Sequence, residues 1–200
     1  MKKRDVISAF IIGEISALIF LLILRFLEVS PLIINFANFF PIILPVLSIT
    51  GVYIISLFEK RWPALFQAGK SFLVGILNTF IDLGILNLLM WVSGIASGSL
   101  YSTFKGLSFA CATVNSYFWN KFWVFEKREM EKAGKEFLQF CLIAGIGFLI
   151  NLSVASFLVN VIGPRFGLSE KIWANVGALI AVFFGFSWNF LGYKFIVFKK

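Results

Sequence analysis

The sequence has no histidine and little charge. Of its 200 residues, 14% are charged and 60% are hydrophobic. Without histidine, acid–base chemistry and metal binding by imidazole are excluded. Soluble domains carry about a quarter charged residues, and a soluble fold of this length could not bury so much apolar surface. We therefore expect an integral membrane protein, with the bilayer as its solvent.

Cysteine is also scarce, and no catalytic motif is present. Cys111 and Cys141 both lie in apolar stretches, which favours packing roles over a disulfide or a metal site. A Gly-rich phosphate loop, a metal-ligand cluster and a nucleophile elbow are all missing from the sequence. We expect no metal, no cofactor and no enzymatic activity. The net charge of +8 indicates basic loops that fix topology and touch anionic lipid, rather than binding to nucleic acid.

Six apolar stretches approach the length of about 20 residues that a helix needs to cross the hydrocarbon. They are residues 6–27, 37–58, 72–92, 104–125, 137–162 and 172–195. The predicted fold is therefore all-α, a polytopic integral membrane bundle of six transmembrane helices. We divide it into an N-terminal transmembrane hairpin, 1–62, and a four-helix transmembrane domain, 66–200.

The first apolar stretch follows Lys2, Lys3 and Arg4, which is also how a cleaved signal peptide begins. The stretch is longer than a signal-peptide core, Glu14 interrupts it, and no clear small-residue cleavage site follows. We expect a retained membrane anchor.

Lysine and arginine predict the orientation, because they favour cytoplasmic loops. With six crossings and both termini in the cytoplasm, 14 of these residues lie inside and 4 lie outside. The four outside are Arg25, Lys105, Arg165 and Lys171. The 14 inside are Lys2, Lys3, Arg4, Lys60, Arg61, Lys70, Lys121, Lys127, Arg128, Lys132, Lys135, Lys194, Lys199 and Lys200. We expect a multi-pass protein of the plasma membrane.

The last four helices contain an internal repeat. Asp82 and Asn151 are 69 positions apart, and so are Asn120 and Asn189. A stripe of small residues matches at the same shift, Ser108, Ala112 and Ser116 against Gly177, Ala181 and Gly185. Four extra residues follow in the second copy, so that 122–125 corresponds to 195–198. Each copy has two crossings, which predicts two parallel two-helix repeats.

Polar side chains inside the apolar stretches need partners and often mark function. Asn78 and Asp82 lie four apart on one face, Asn115 lies in the next helix, and Asn151 lies at the position matching Asp82. Glu14 is the acidic residue of the first stretch. Each of these could instead serve packing alone, and small-residue stripes such as this one often do. Such seams would also permit a homo-oligomer.

Two motifs carry a family resemblance. Residues 72–82 read Phe-Leu-Val-Gly-Ile-Leu-Asn-Thr-Phe-Ile-Asp, and residues 120–125 read Asn-Lys-Phe-Trp-Val-Phe. In this order they resemble the GtrA-like family over about residues 66–200. Lys121 departs from the arginine that the family often has, and the second half lacks a second Asn-Lys-x-Trp. The motif positions are Phe72, Gly75, Asn78, Asp82, Asn120, Lys121, Trp123 and Phe125.

The resemblance implies a role in cell-surface polysaccharide or glycolipid synthesis, with a polyprenyl-phosphate-linked sugar as substrate. One hypothesis is that the protein flips this lipid across the membrane. The alternative is a non-catalytic anchor or stabilising subunit of a polyprenyl-phosphate glycosyltransferase. An enzyme with Asp82 as base is a third and weaker hypothesis. The candidate substrate-binding residues are Asn78, Asp82, Asn115, Asn120, Lys121, Trp123, Asn151 and Asn189.

Overall fold

A computed structural model describes residues 1–27, 30–95, 98–131, 133–167 and 170–198. Within these ranges, the side chains of 98–99, 101–102, 105, 155–156, 159–160 and 170–179 are left aside. Several residues used in the sequence interpretation lie outside this description, namely Lys105, Lys132, Lys171, Gly177, Lys199 and Lys200.

The described chain is all-α and contains no strand, as predicted. Helices occupy all six predicted places, and one further short helix, α2, precedes the second place. The bounds are α1 Lys3–Phe26, α2 Pro31–Ala37, α3 Phe40–Ser56, α4 Pro63–Ser93, α5 Gly98–Trp119, α6 Ala133–Ser156 and α7 Glu170–Gly192. Three π-helical turns follow the last three helices, Asn120–Val124 after α5, Phe157–Ile162 after α6 and Tyr193–Val197 after α7.

Four of the described helices are long and apolar enough to cross a membrane. They are α1, α4, the segment Ala133–Val154 of α6, and the segment Ile180–Val197 of α7 with its π-helical turn. The pair α2 and α3, which is bent by 40°, makes a fifth span if it is counted as one. The chain is thus a multi-pass membrane protein with four to five candidate spans, while six spans and the parallel repeat stay predictions.

Local sequence explains several helix ends. Pro31 and Pro63 occupy the first turns of α2 and α4, where a missing N–H leaves no hydrogen bond unmade. Helix α4 ends at Gly94, which adopts a left-handed φ of 71°. The N–H of Gly94 donates to the carbonyl of Met90 at 2.8 Å, which closes the last turn.

The first compact unit spans Met1–Lys127. Helix α1 packs against α3 and α4, and α4 packs against α5. At the α1–α3 crossing, a Cβ on Gly13 would lie 2.6 Å from Pro45 Cα and 2.8 Å from the Leu44 carbonyl oxygen. Gly13 is therefore the residue that lets these two backbones meet.

The second compact unit spans Arg128–Lys200, and in it α6 packs against α7. A Cβ on Gly185 would lie 3.1 Å from the carbonyl oxygen of Gly147, which makes this another close crossing. The Trp188 indole N–H donates to the Ile143 carbonyl at 3.2 Å, and the Phe140 and Tyr193 rings stack with centroids 4.0 Å apart. The predicted division into 1–62 and 66–200 follows family resemblance rather than packing, and it stays a prediction.

The ends of α5 and α7 share one local geometry. Each passes into a five-residue π-helical turn, and each turn is closed by a phenylalanine N–H. Phe125 N–H donates to the Asn120 carbonyl at 2.9 Å, and Phe198 N–H donates to the Tyr193 carbonyl at 2.8 Å. The two turns are 73 positions apart, which is the shift that the sequence predicts for the ends of the two copies.

Candidate functional site

Side-chain hydrogen bonds join α4 to α5 and to the π-helical turn that follows α5. The Ser108 hydroxyl donates to Asp82 Oδ1 at 2.6 Å and the Asn115 amide to Asn78 Oδ1 at 2.7 Å. The Ser71 hydroxyl donates to Asn120 Oδ1 at 3.0 Å. We call these six residues the polar seam: Ser71, Asn78, Asp82, Ser108, Asn115 and Asn120. Four of the predicted binding residues, Asn78, Asp82, Asn115 and Asn120, therefore meet in one helix–helix contact.

Asn120 anchors one end of the polar seam. Its side chain is 2% exposed, and its amide nitrogen donates to the Ser116 carbonyl at 2.8 Å while its oxygen accepts from Ser71. Both ends of the amide are satisfied, as burial requires. Asn120 is also the first residue of the π-helical turn, so the amide lies where α5 changes its winding.

The predicted small-residue stripe of α5 packs within the first unit. Ser108 is fully buried and Ala112 is 5% exposed, and Ser108 reaches Asp82 on α4. In the second unit, Ala181 is fully buried and Gly185 lies against Gly147 and Asn151 of α6. The described members of each stripe thus lie where α5 packs on α4 and where α7 packs on α6.

A group of charged side chains lies where α1 and α4 begin and the π-helical turn after α5 ends. We call it the charged cluster, and its members are Lys2, Arg4, Asp5, Lys70 and Glu126. At its centre Asp5 is fully enclosed and accepts three hydrogen bonds. They come from the Lys2 backbone N–H at 3.1 Å, from Lys70 Nζ at 3.3 Å and from the Trp123 indole N–H at 3.0 Å.

Lys70 is the cation that faces Asp5, and it is 2% exposed. Its ammonium also lies over two aromatic rings, 4.9 Å from the Phe66 centroid and 5.2 Å from the Trp123 centroid. Aromatic faces attract a cation, most strongly where water is excluded. Trp123, a residue of the second motif, therefore contacts both members of a buried ion pair. Its N–H donates to Asp5, and its ring faces the Lys70 ammonium.

Glu126 closes the cluster toward solvent. Its carboxylate lies 2.6 Å from Arg4 Nη2, 3.2 Å from Lys2 Nζ and 3.8 Å from Lys70 Nζ. Partial burial raises the pKa of the Glu126 carboxyl, but the hydrogen bond from Lys2 and the charges of Arg4, Lys2 and Lys70 outweigh that effect. The pKa therefore lies below its ordinary value.

The backbone of Glu126 is strained. Its φ is 54°, in the left-handed region that costs a non-glycine residue about 1–2 kcal/mol. This conformation lets the N–H of Lys127 donate to the Lys121 carbonyl at 2.9 Å and end the π-helical turn. The ion pairs of Glu126 help to offset the strain.

Lys121 is enclosed beside this cluster, with no exposed surface. Its ammonium donates to the Tyr117 hydroxyl at 3.2 Å and lies 5.6 Å from the centroid of that ring. The remaining two candidates belong to the second unit. Asn151 is half-buried on α6, and Asn189 of α7 lies against Gly147, where a Cβ would collide with its amide. Asn189 Oδ1 is buried and has no hydrogen-bond partner among the described residues.

Sequence interpretation missed the charged cluster. No sequence motif marks Asp5, and the pattern indicates Arg4 and Lys70 only as positive charges that favour the cytoplasmic side. One signal was present, because Lys70 lies in the helix period of Val74 and Leu77, which are both fully buried. Glu14, by contrast, is half-buried on α1 and lies outside both the polar seam and the charged cluster.

These long apolar helices define a multi-pass membrane protein. The sequence model of the GtrA/DPMS transmembrane domain matches residues 70–198, and the chain belongs to this family. Membership indicates a membrane protein of glycolipid- or polysaccharide-related processes. The chain is 33% identical over 121 residues to the uncharacterized membrane protein YngA of Bacillus subtilis (strain 168). The aligned region covers 58% of this chain and 74% of YngA. No solved structure matches the chain.

Proposed function

We propose that this protein translocates a polyprenyl-phosphate-linked sugar across the membrane. The polar seam carries the proposal. Its α4 members, Ser71 to Asp82, are eleven positions apart, or about 16 Å along the helix axis. The hydrocarbon is about 30 Å thick, so the seam supplies hydrogen-bonding groups across about half of that depth.

The hydrogen bonds of the polar seam suit exchange with a sugar. Side-chain hydrogen bonds between membrane helices contribute about 0.6 kcal/mol on average and at most about 1.7. Opening the Asn78–Asn115 pair therefore costs little, and the two freed amides offer donors and acceptors to sugar hydroxyls. The cations Lys70 and Lys121 lie beyond the Asn120 end of the seam, on the side where a lipid phosphate would enter.

A reconstitution experiment tests this function. The purified chain is placed alone in liposomes that contain a labelled polyprenyl-phosphate sugar, and its transbilayer movement is followed. We expect movement faster than in protein-free liposomes, and at least a tenfold slower rate for Asn78→Leu. A rate in the wild-type liposomes equal to that of empty ones would exclude the function.

Thr79→Val is the matched control for this experiment. Thr79 neighbours Asn78, is exposed, and donates its hydroxyl to the Gly75 carbonyl of its own helix at 3.1 Å. We expect Thr79→Val to translocate at the wild-type rate. Equal losses in both variants would assign the effect to the stability of α4 rather than to the polar seam.

A second function, anchoring a polyprenyl-phosphate glycosyltransferase, is favoured by a different observation. The polar seam satisfies its own members, since Asn78 pairs with Asn115 and Asp82 with Ser108. Such a seam can serve purely to hold α4 to α5 and present their outer faces to a partner. Purification from the native membrane under mild detergent tests it, because an anchor has to copurify with a glycosyltransferase in near-equal amounts.

The proposal contains no chemical step. Asp82 is placed as an acceptor for the Ser108 hydroxyl, and Asp82→Asn preserves an acceptor oxygen at that position. We therefore expect Asp82→Asn to retain translocation at a reduced rate. Turnover of a sugar lipid by the purified chain that vanishes in Asp82→Asn would instead identify an enzyme with Asp82 as its base.

A further inference from the structure

A cavity of about 320 Å³ lies beside the charged cluster and apart from the polar seam. It lies between the first turns of α1 and the end of α5 with its π-helical turn. Its lining combines one cation, one hydroxyl and four aromatic rings, namely Arg4, Ser8, Phe118, Trp119, Phe122 and Trp123.

Arg4 brings unused hydrogen-bonding capacity to this cavity. Its Nη2 is paired with Glu126 Oε1 at 2.6 Å. Its Nε is enclosed and has no hydrogen-bond partner in the described part of the chain. The Arg4 side chain is nevertheless 36% exposed and lines the cavity, and a guanidinium that is paired through one nitrogen keeps further N–H groups that can bind a phosphate.

The charge balance around the cavity favours an anion. The cations Lys2, Arg4 and Lys70 share the carboxylates Asp5 and Glu126, which leaves one positive charge in excess. A phosphate group would neutralise that excess. The low dielectric at the edge of a membrane makes such neutralisation more favourable than it is in water.

The walls of the cavity favour an apolar chain. The Trp119 and Trp123 rings meet edge to face at 5.8 Å, and the Phe118 and Phe122 rings stack at 6.1 Å. Phe118 is 46% and Phe122 is 38% exposed, so the aromatic wall continues onto the outer surface of α5. A ligand that fits both parts has an anionic head and an unsaturated or branched apolar tail.

We infer that this cavity binds the phosphate of the lipid-linked substrate, with the first isoprene units lying on Phe118 and Phe122. The inference rests on the proposed function and adds the place where the head group is held. The cation and the hydroxyl come from α1, which precedes the family match at 70–198. The N-terminal helix is thus part of the binding site rather than an accessory.

Farnesyl phosphate is a short probe for this site. The full chain is reconstituted in phosphatidylcholine nanodiscs, and tryptophan fluorescence is recorded during titration, because Trp119 and Trp123 line the cavity. We expect saturable binding that Arg4→Ala weakens about tenfold, the usual effect of losing one charge-assisted hydrogen bond. Arg4→Lys keeps the charge but lacks the paired donors, so its affinity should lie between those of the wild type and Arg4→Ala.

Lys3→Ala is the matched control, because Lys3 is an exposed cation one residue away. It should bind as the wild type does, within twofold. Ser8→Ala is a second cavity variant that leaves the charged cluster intact, and it should weaken binding severalfold. Equal affinity in Arg4→Ala, Ser8→Ala and Lys3→Ala would overturn the inference.

Three further titrations identify the ligand chemistry. Farnesol lacks the phosphate and inorganic phosphate lacks the chain, and each should bind at least tenfold more weakly than farnesyl phosphate. Inorganic phosphate binding as tightly would show a site for free phosphate. Displacement of the probe by a small fraction of phosphatidylglycerol would show a site for any anionic lipid. Either result overturns the assignment to a lipid-linked substrate.

The translocation assay separates this inference from the proposed function. If farnesyl phosphate binding depends on Arg4 but the wild type does not translocate, the binding-site inference stands and the proposed function is excluded. If Arg4→Ala translocates at the wild-type rate, the inferred binding site is excluded and the proposed function stands.

Discussion

At the scale of single residues, the Asp5 carboxylate shows how a membrane helix can carry a charge. Burying an ion is unfavourable unless its partner and its remaining lone pairs are all satisfied. Asp5 meets this condition, because Lys70 supplies the opposite charge and the Lys2 and Trp123 N–H groups supply further hydrogen bonds. The same completeness makes the site sensitive to the loss of any one member.

Breaking the Asp5–Lys70 pair should destabilise the first unit strongly. Removing one partner of a buried pair leaves an uncompensated charge, which costs about 3–5 kcal/mol. We expect that loss for Asp5→Asn and for Lys70→Met, and a smaller loss for the double variant than the sum of the two. Unfolding in detergent by a denaturant titration measures these free energies.

The exposed residue Lys60 supplies the comparison for this pair. Lys60→Met should change the free energy of unfolding by less than about 0.5 kcal/mol. Additive losses in the double variant would show that Asp5 and Lys70 are not coupled.

Glu126 should give the stability of the protein an acid-sensitive component. Its pKa is lowered in the fold, so the ionised carboxylate is stabilised by folding. That contribution is fully present above the ordinary glutamate pKa, and it is lost as the pH falls through the lower pKa of the folded state. Glu126→Gln should therefore be less stable than the wild type at neutral pH, and the gap should narrow in acid.

Melting temperatures recorded from pH 7 downward for both chains measure this gap. The difference between the two curves at each pH reports the effect of removing the Glu126 carboxylate. A gap that stays constant or widens toward acid would contradict the assignment.

At the scale of the elements, hydropathy predicted where helices form but not where all of them begin. Helix α4 starts at Pro63, although the apolar stretch was predicted from residue 72. Gln67 and Lys70 make the first turns look like a loop in the sequence. The helix nevertheless continues through them, because glutamine and lysine are good helix formers. Asp5 neutralises Lys70 there, a contact that no local pattern contains.

The break between α2 and α3 was also not predicted. The second apolar stretch runs across Asn38 and Phe39, where the structure bends by 40°. Pro41 lies in the first turn of α3, where proline favours the start of a helix. Pro45, one turn further on, remains inside the helix and lies against Gly13. One proline thus marks the start of α3, whereas the other forms a packing contact within it.

The two parts of the candidate site differed in how well the sequence predicted them. Helical spacing placed Asn78 and Asp82 on one face and Ser108 with Ala112 on another, and the structure joins these faces. The charged cluster depends instead on which helices become neighbours. Asp5 and Trp123 are 118 positions apart, and only tertiary packing brings them together.

The crossing of α1 and α3 should tolerate no side chain at Gly13. A Cβ there would lie 2.6 Å from Pro45 Cα, and backbone atoms on both sides cannot move away as a flexible side chain would. We expect Gly13→Ala to lower the free energy of unfolding by about 1–3 kcal/mol, the usual range for overpacking. Denaturant titration of the purified chain measures the change.

Gly51→Ala on α3 is the matched substitution. A Cβ at Gly51 meets nothing within 4 Å in the described structure, and alanine favours a helix over glycine. Gly51→Ala should therefore be neutral or slightly stabilising. A larger loss at Gly51 than at Gly13 would contradict the close approach of α1 to Pro45.

At the scale of the whole chain, the first unit brings together segments that the sequence assigns to one side of the membrane. The ion pairs of Lys2 and Arg4 with Glu126, and of Lys70 with Asp5, bring the start of α1, the start of α4 and the end of α5 to one end of that unit. These are three of the segments that the charge bias assigns to the cytoplasm. The side of the membrane that they face stays a prediction.

Cysteine labelling should map that orientation. In a background with Cys111 and Cys141 replaced by serine, Lys60→Cys and Ser30→Cys place exposed thiols beyond opposite ends of α2 and α3. A membrane-impermeant maleimide should modify the Ser30→Cys variant in right-side-out vesicles and the Lys60→Cys variant only in inside-out vesicles. Modification of both from the same side would show that α2 and α3 do not form a span.

The 65 residues between Asp5 and Lys70 set an order of events during synthesis. At about 5–20 residues per second, Asp5 waits roughly 3–13 s before its partner leaves the ribosome. Helix α1 is therefore complete, with its Asp5 carboxylate not yet paired with Lys70, before α4 is synthesised with Lys70, Asn78 and Asp82. Helix α1 has to hold the Asp5 carboxylate at the membrane edge until the more polar α4 inserts beside it. A chain whose α1 cannot do so should fail at insertion, before folding begins.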